Sequence, residues 1–319
     1  MISIAMCTYN GELFIKEQID SILNQTYCDF ELVITDDGSS DKTINIVKEY
    51  QLLDNRIKFF QNKTNLGFVK NFEKAISLCT GEYIALADQD DIWKINKLEI
   101  FLDEIKDNVL IYSDAILVDK YSNSIGSELI RSNKKKLVSG SCNKSFLLSN
   151  CVSGNTLMFK KELVKYILPI PKGISFHDIW IAFVSSTYGT ITYTEESMTY
   201  YRRYSEQITK TREKSYNSFF DRLKQKEKIR IHDATAIVKD LNIFKSLKIL
   251  KDSNVIEIID ELVNHYSNYS NIYFSNKLEK ILKRHKDEVF AIFKDKYRNK
   301  RIRRTTIGLK LHKLTCFVL

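Results

Sequence analysis
The chain has 319 residues, 44% of them hydrophobic, and carries a net charge of +9, enough apolar material for one large domain or a domain with an appendage. Its six cysteines (Cys7, Cys28, Cys79, Cys142, Cys151, Cys316) form no CxxC pair and no paired spacing, which argues against a zinc site or a disulfide framework and for a reducing compartment. The charge is uneven: residues 209–319 hold 26 basic and 13 acidic side chains, a net of +13, on a body whose net is −4.

Residues 2–6 read as a short apolar strand, and Ile15, Ile19, Ile22 and Leu23 follow at helical spacing. Phe30-Glu31-Leu32-Val33-Ile34 is a second strand ending in Thr35-Asp36-Asp37-Gly38-Ser39-Ser40-Asp41. The helix after it passes through Ile44 and Val47, with Ser40 or Asp41 as its N-cap. Ile57-Lys58-Phe59-Phe60 is a third strand, Asn65-Leu66-Gly67 a turn, and residues 68–78 a helix. Residues 81–87 form a fourth strand that closes on Asp88-Gln89-Asp90-Asp91, and a helix is expected to begin near Lys94. Strands alternating with helices over these residues predict a parallel sheet with helices on both faces. Residues 109–118 read as one apolar strand interrupted by Ser113-Asp114, and residues 119–145 as an exposed loop region. Short strands are expected at 156–159, 190–193 and 197–202, a helix over 178–188, and helices from residue 215 onward.

The chemistry-bearing residues follow the C-terminal ends of the early strands, where open α/β sheets bind ligands. Asp88, Asp90 and Asp91 on one turn repel one another unless a cation is present. Oxygen ligands of this kind suit Mg2+ or Mn2+, often shared with substrate phosphates. Asp36-Asp37 and Thr8-Tyr9-Asn10 read equally as turn-and-cap chemistry or as groups that receive a ribose and a base. His177-Asp178-Ile179-Trp180 offers a carboxylate that either caps the following helix or accepts a proton from an incoming hydroxyl. Tyr200-Tyr201-Arg202-Arg203-Tyr204 is either an edge strand or a cationic clamp for a diphosphate. No GxxxxGK[ST], GxGxxG after the first strand, GxSxG or HExxH occurs, so glycine-nest phosphate binding, serine hydrolysis and zinc proteolysis lack support. Nucleic-acid binding by the basic third lacks a fold motif.

Together the segments Cys7-Thr8-Tyr9-Asn10-Gly11, Ser21-Ile22-Leu23-Asn24-Gln25-Thr26, Asp36-Asp37-Gly38-Ser39-Ser40-Asp41-Lys42-Thr43, Asp88-Gln89-Asp90-Asp91-Ile92-Trp93, Ser153-Gly154-Asn155-Thr156 and His177-Asp178-Ile179-Trp180 resemble, in order, the family 2 glycosyltransferases, and are most similar to the bacterial rhamnosyltransferase branch of cell-wall and capsular polysaccharide assembly. The resemblance implies a GT-A, Rossmann-like mixed sheet with helices on both faces in a catalytic domain over residues 1–208, followed by a basic helical region over 209–319. It implies an inverting, Mn2+- or Mg2+-dependent transfer from a nucleoside diphosphate sugar (dTDP-rhamnose or a UDP-hexose) to a hydroxyl of a saccharide on a lipid carrier. Asp178 would be the general base and Asp90 the metal ligand. Thr8, Tyr9, Asn10, Asp37, Asp88 and Arg202 would bind the donor. Ser153, Gly154, Asn155, His177 and Trp180 would border the acceptor or sugar pocket, and Asp91 would cap a helix or support its neighbours. The pattern Tyr-Arg-x-His-x-x-Asn-x-x-Gly is not kept: Tyr204, Gln207 and Lys210 stand where the branch has His, Asn and Gly. A non-catalytic relative that binds a nucleotide or carbohydrate is the alternative reading. With no basic segment leading into an apolar stretch at the start, and no run of about 20 apolar residues, the expected location is cytoplasmic. The basic third would then bring the protein to the inner face of the membrane.

Overall fold
The two apolar runs nearest the N-terminus pair in parallel as β1 (Ile2–Thr8) and β2 (Phe30–Asp36), in register from Ile2 with Phe30 to Thr8 with Asp36. The computed structural model describes residues 1–204 and 219–311. Every residue of β2 is buried, the pattern of a strand covered by helices on both faces. β3 (Ile57–Gln61) joins β2 in parallel, and β4 (Tyr83–Ala87) joins β1 on its other side. The connecting helices are α1 (Ile15–Leu23), α2 (Thr43–Leu53) and α3 (Phe68–Leu78). In α1, Ile15, Ile19 and Ile22 recur at helical spacing and pack on Ile4, Met6 and Ile34 in the main core. Each such buried side chain stabilises the fold by about 1.5–3 kcal/mol. The N-cap of α2 is Lys42 rather than Ser40 or Asp41; Asp41 supports the start from one position earlier, its Oδ1 accepting from Thr43 N at 2.9 Å.

Beyond β4 the chain adds β5 (Ile92–Trp93) and α4 (Lys97–Ile105). The helix starts at Lys97 rather than near Lys94, preceded by Asn96, so Asp91 does not cap it. The single strand expected over residues 109–118 is two strands in two sheets, β6 (Leu110–Tyr112) and β7 (Ala115–Val118). Asp114 gives the reason. It is fully buried, and its carboxylate accepts from Ala115 N and Ile130 N at 2.8 and 2.9 Å and from Arg131 N at 2.9 Å. The carboxylate thereby folds the chain back upon itself. The loop expected over 119–145 contains β8 (Ser124–Glu128), antiparallel to β7. The remaining elements before residue 204 are β9 (Leu157–Lys160), α5 (Val164–Ile167), α6 (His177–Tyr188), β10 (Ile191–Tyr193) and β11 (Thr199–Arg202).

Among the described residues the larger sheet has the order β10-β6-β9-β4-β1-β2-β3 and the smaller one β5-β11-β7-β8. β9 runs antiparallel between β4 and β6, which makes the sheet mixed, as the resemblance implied. Its reversal also brings its N-terminal end, and residues 153–156 before it, to the edge where β1, β2 and β4 finish.

The chain divides into two compact units, one of residues 1–143, 150–171 and 176–204, the other of residues 144–149, 172–175 and 205–319. The expected boundary at residue 208 lies outside the described residues, as do residues 205–210 of the divergent stretch and the expected helical start at 215. Among its described residues the second unit contains α7 (Phe219–Lys245), α8 (Ser253–Ser267), α9 (Asn276–Arg284), α10 (Lys286–Val289) and α11 (Asp295–Thr306). Asp252 caps α8 and Ser275 caps α9 through their side-chain oxygens. Lys144 of the same unit donates to Glu288 at 2.8 Å. Among the described residues no helix is long and apolar enough to cross a membrane.

Candidate active site
The ends of β1 and β2 are tied by Thr8, whose Oγ1 donates to Asp36 Oδ2 at 2.9 Å while its carbonyl accepts from Asp37 N at 2.8 Å. Asp36 shapes the turn that follows, its Oδ1 accepting from Gly38 N and Ser39 N, and Gly38 takes a positive φ of 85°. Asp37 was expected to receive a base or ribose. Its carboxylate is buried and already accepts from Leu66 N (2.7 Å), Asn62 Nδ2 (2.8 Å) and Gly67 N (2.8 Å). Three of a carboxylate's roughly four acceptor directions are thus spent on holding the loop before α3. Asn10 is also committed to the protein: its side-chain oxygen accepts from Ser40 N at 2.8 Å and its backbone is left-handed, φ 49°. Tyr9 differs, with a ring 48% exposed at the sheet edge. Its backbone is clamped by Gln89, which accepts from Tyr9 N at 2.8 Å and donates to Tyr9 O at 3.0 Å. Gln89 therefore joins the β1 loop to the acidic turn.

Within that turn the carboxylates have separate environments. Asp91 is fully buried, accepting from Arg202 N at 3.1 Å and from Asn155 Nδ2. Burial, with the charges of Asp90 and Asp88, pushes its pKa well up. Beneath it lies Lys97, also fully buried, whose Nζ donates to Asn155 O at 2.8 Å and Thr199 Oγ1 at 3.1 Å and sits 3.6 Å from the centre of the Trp93 ring. Burial pushes the Lys97 pKa well down, against the pull of Asp91 and Asp88. Asp88 is pushed up to about 7, by burial first and then by the charges of Asp90 and Asp178. The neighbouring negative charges that push up Asp88 and Asp91 are ones that a cation relieves.

Asp178 lies in the first turn of α6. Burial pushes its pKa up to about 6, against hydrogen bonds from Ile179 N, at 2.5 Å, and from the Gly154 backbone. His177 is buried and stacked on Phe72 at 4.1 Å, and burial pushes its pKa down to about 3, so it is neutral. A Cβ on Gly154 would lie 2.7 Å from His177 Nε2, which explains glycine there. Ser153 presents its backbone oxygen to Thr156 N at 3.0 Å and Thr156 Oγ1 at 2.9 Å.

Three expected site residues are placed differently. Trp180 is a core residue, buried with its Nε1 donating to Ile167 O of α5 at 2.9 Å. Asn155 is fully buried and holds Asp91 instead of lining a sugar pocket. Arg202 is fully buried as well. Its guanidinium donates to Asp90 O (2.9 Å), Lys120 O (3.1 Å), Ser122 Oγ (2.9 Å) and Glu17 Oε2 (2.6 Å) instead of facing outward to a diphosphate. Gln89, Lys97 and Tyr204 were not anticipated.

The structure brings both Asp90 and Asp178 within electrostatic reach of Asp88 at the sheet edge. Among the described residues no three His, Cys, Asp or Glu side chains form a complete cation cage. Two carboxylates with remaining positions left to diphosphate oxygens and water is nonetheless the donor set Mg2+ and Mn2+ accept, and the mutual repulsion seen at Asp88 fits such a cation.

The family model described as Glycosyl transferase family 2 matches residues 3–167. An uncharacterized glycosyltransferase of Haemophilus influenzae is 33% identical over 172 residues, 52% of this chain and 53% of that protein. The Escherichia coli UDP-Glc:alpha-D-GlcNAc-diphosphoundecaprenol beta-1,3-glucosyltransferase WfgD is 36% identical over 136 residues, 42% of this chain and 52% of that protein. The chain thus spans about half the length of these curated relatives. S. aureus TarS 1-349, solved in complex with UDP-GlcNAc, superimposes with a TM-score of 0.60 at 19% identity, covering 95% of this chain and 87% of that one. The mannosyltransferase PcManGT of Pyrobaculum calidifontis, solved with GDP-Man and Mn2+, gives 0.53 at 16% identity, covering 88% and 72%. At these identities the two structures establish a shared fold.

Proposed function
The chain belongs to glycosyl transferase family 2, and from that premise we propose that it transfers a sugar from a nucleoside diphosphate sugar to a hydroxyl of a growing surface saccharide on a lipid diphosphate, with inversion. The observation that carries the reading is Asp178: a carboxylate in a helix's first turn, raised to about 6 by burial, at the edge where Asp88 and Asp90 gather. A carboxylate of that pKa is ionised at neutral pH yet basic enough to accept a proton. Asp178 takes the proton from the acceptor hydroxyl as its oxygen attacks the anomeric carbon. The bond to the diphosphate breaks on the opposite face, and the nucleoside diphosphate leaves with the electron pair. Asp88 and Asp90 would hold a Mn2+ or Mg2+ ion, which when bound offsets charge on the departing diphosphate. Tyr9 offers its exposed ring face to the base, and Thr8 and Asp37 fix the loops around it.

A UDP-hexose is favoured over dTDP-rhamnose as donor. WfgD is named for UDP-Glc, and TarS was solved with UDP-GlcNAc. The diphosphoundecaprenol in WfgD's name supports the lipid-linked acceptor, and the excess of basic residues over 209–319 suits an anionic membrane face on the cytoplasmic side.

Asp178→Asn is expected to lower transfer by about 10²–10⁴-fold while UDP-sugar binding, measured by calorimetry, stays within a few fold. Near-normal turnover in this variant would refute the base assignment. Because the base works ionised, its activity is lost as pH falls through about 6, the value burial gives Asp178. Wild-type kcat/KM at pH 5 should be about a tenth of that at pH 7.

A further inference from the structure
We propose that Tyr204 is a positioning residue for the cation end of this site: its hydroxyl orients the Asp90 carboxylate and so sets how firmly the acidic turn engages a divalent cation. This rests on the reading of Asp90 as a cation-holding carboxylate, and extends it to a residue outside the acidic turn.

The Tyr204 hydroxyl donates to Asp90 Oδ2 at 2.7 Å. Its ring lies against Phe14, with centroids 4.9 Å apart, and the Arg202 guanidinium lies 4.4 Å from the centre of the same Phe14 ring. Arg202 ends β11 and Tyr204 follows two residues beyond it. Phe14 is gripped between them. Both also reach Asp90, since Arg202 Nε donates to the Asp90 backbone oxygen at 2.9 Å. Backbone and carboxylate of Asp90 are therefore fixed from one strand end. That strand is itself fastened just past the turn, where Thr199 of β11 lies opposite Trp93 of β5.

Asp90 needs such a hold. It shares one short turn with Asp88 and Asp91, and carboxylates this close repel one another, so its orientation must be held from outside the turn. A phenol that donates to one oxygen keeps the carboxylate in a single orientation and leaves its negative charge in place. Hydrogen-bond partners of ligating carboxylates act in this way, and removing one typically costs 10–100-fold in metal affinity.

Tyr204→Phe removes the hydroxyl and keeps the ring against Phe14. UDP binding to the full chain is titrated calorimetrically with and without Mn2+, and the factor by which Mn2+ tightens it is the readout. The expected result is a wild-type gain that falls about 10–100-fold in Tyr204→Phe, with UDP affinity in the absence of Mn2+ unchanged. Phe14→Leu disturbs the packing and retains the hydroxyl, and should keep most of the gain. A full gain in Tyr204→Phe, or an equal loss in Phe14→Leu, overturns the role of the hydroxyl and leaves the cation reading standing. A wild-type protein whose UDP affinity ignores Mn2+ overturns both.

Discussion

Lys97 shows how much of this site is invisible from its surface. The fully buried Lys97 Nζ sits under the acidic turn, bonded to Asn155 O and Thr199 Oγ1 and set over Trp93. Asp91 and Asp88 pull its pKa back up against burial, so the three groups are electrostatically linked. Removing one member of such a group leaves the other charge uncompensated in a dry interior. Lys97→Met is expected to destabilise the protein by about 3–5 kcal/mol. Lys97→Met with Asp91→Asn should recover a large part of that loss, because the stranded carboxylate is gone. Urea denaturation of the two variants and the wild type checks both statements, and a double variant no more stable than Lys97→Met would mean Asp91 is not the partner that matters.

At the scale of elements, the site is a meeting of strand ends and one helix start. Gly154 precedes β9 and His177 opens α6, and the two touch so closely that a methyl group at 154 would stand 2.7 Å from the imidazole. Gly154→Ala is expected to cost about 1–3 kcal/mol in stability, the usual penalty of overpacking, and to displace the backbone that donates to Asp178. Gly154→Ala with His177→Ala should regain thermal stability, which differential scanning calorimetry reads. This junction also marks where the sequence is legible. The alternation of apolar runs with polar ends gave β1, β2, β4 and the helices between them, and the ordered motifs gave the family. Local pattern did not show which side chains face inward. Trp180 and Asn155 belong to motifs whose other members reach the site, yet helix phase and burial turn them into the core and under Asp91. Asp114 looked like an interruption of one strand, because the partners that make it a corner, Ile130 and Arg131, lie sixteen and seventeen residues on. Tyr204 and Gln89 were unreadable for the same reason: each acts on a residue some eighty or more positions away.

Across the whole molecule, charge and topology divide the work. The net of +13 on residues 209–319 against −4 elsewhere makes one part of the chain a cationic surface. Each Lys or Arg near an anionic bilayer contributes about 1 kcal/mol, and the attraction fades within a Debye length of about 10 Å at 0.1 M salt. The protein is expected to sediment with phosphatidylcholine vesicles containing phosphatidylglycerol, to ignore pure phosphatidylcholine, and to be released as salt rises toward about 1 M. Equal binding to both vesicle types would remove the electrostatic basis for a membrane-facing acceptor. The reversed strand β9 has a separate consequence. Tyr112 at the end of β6 lies opposite Leu157 at the start of β9. The residues between them thus leave and re-enter the sheet at adjacent doors. A detour whose two ends are pinned side by side can grow, shrink or be exchanged at an entropic cost that rises only with the logarithm of its length. Changes of length between Tyr112 and Leu157 therefore leave the pairing of β6 with β9 in place.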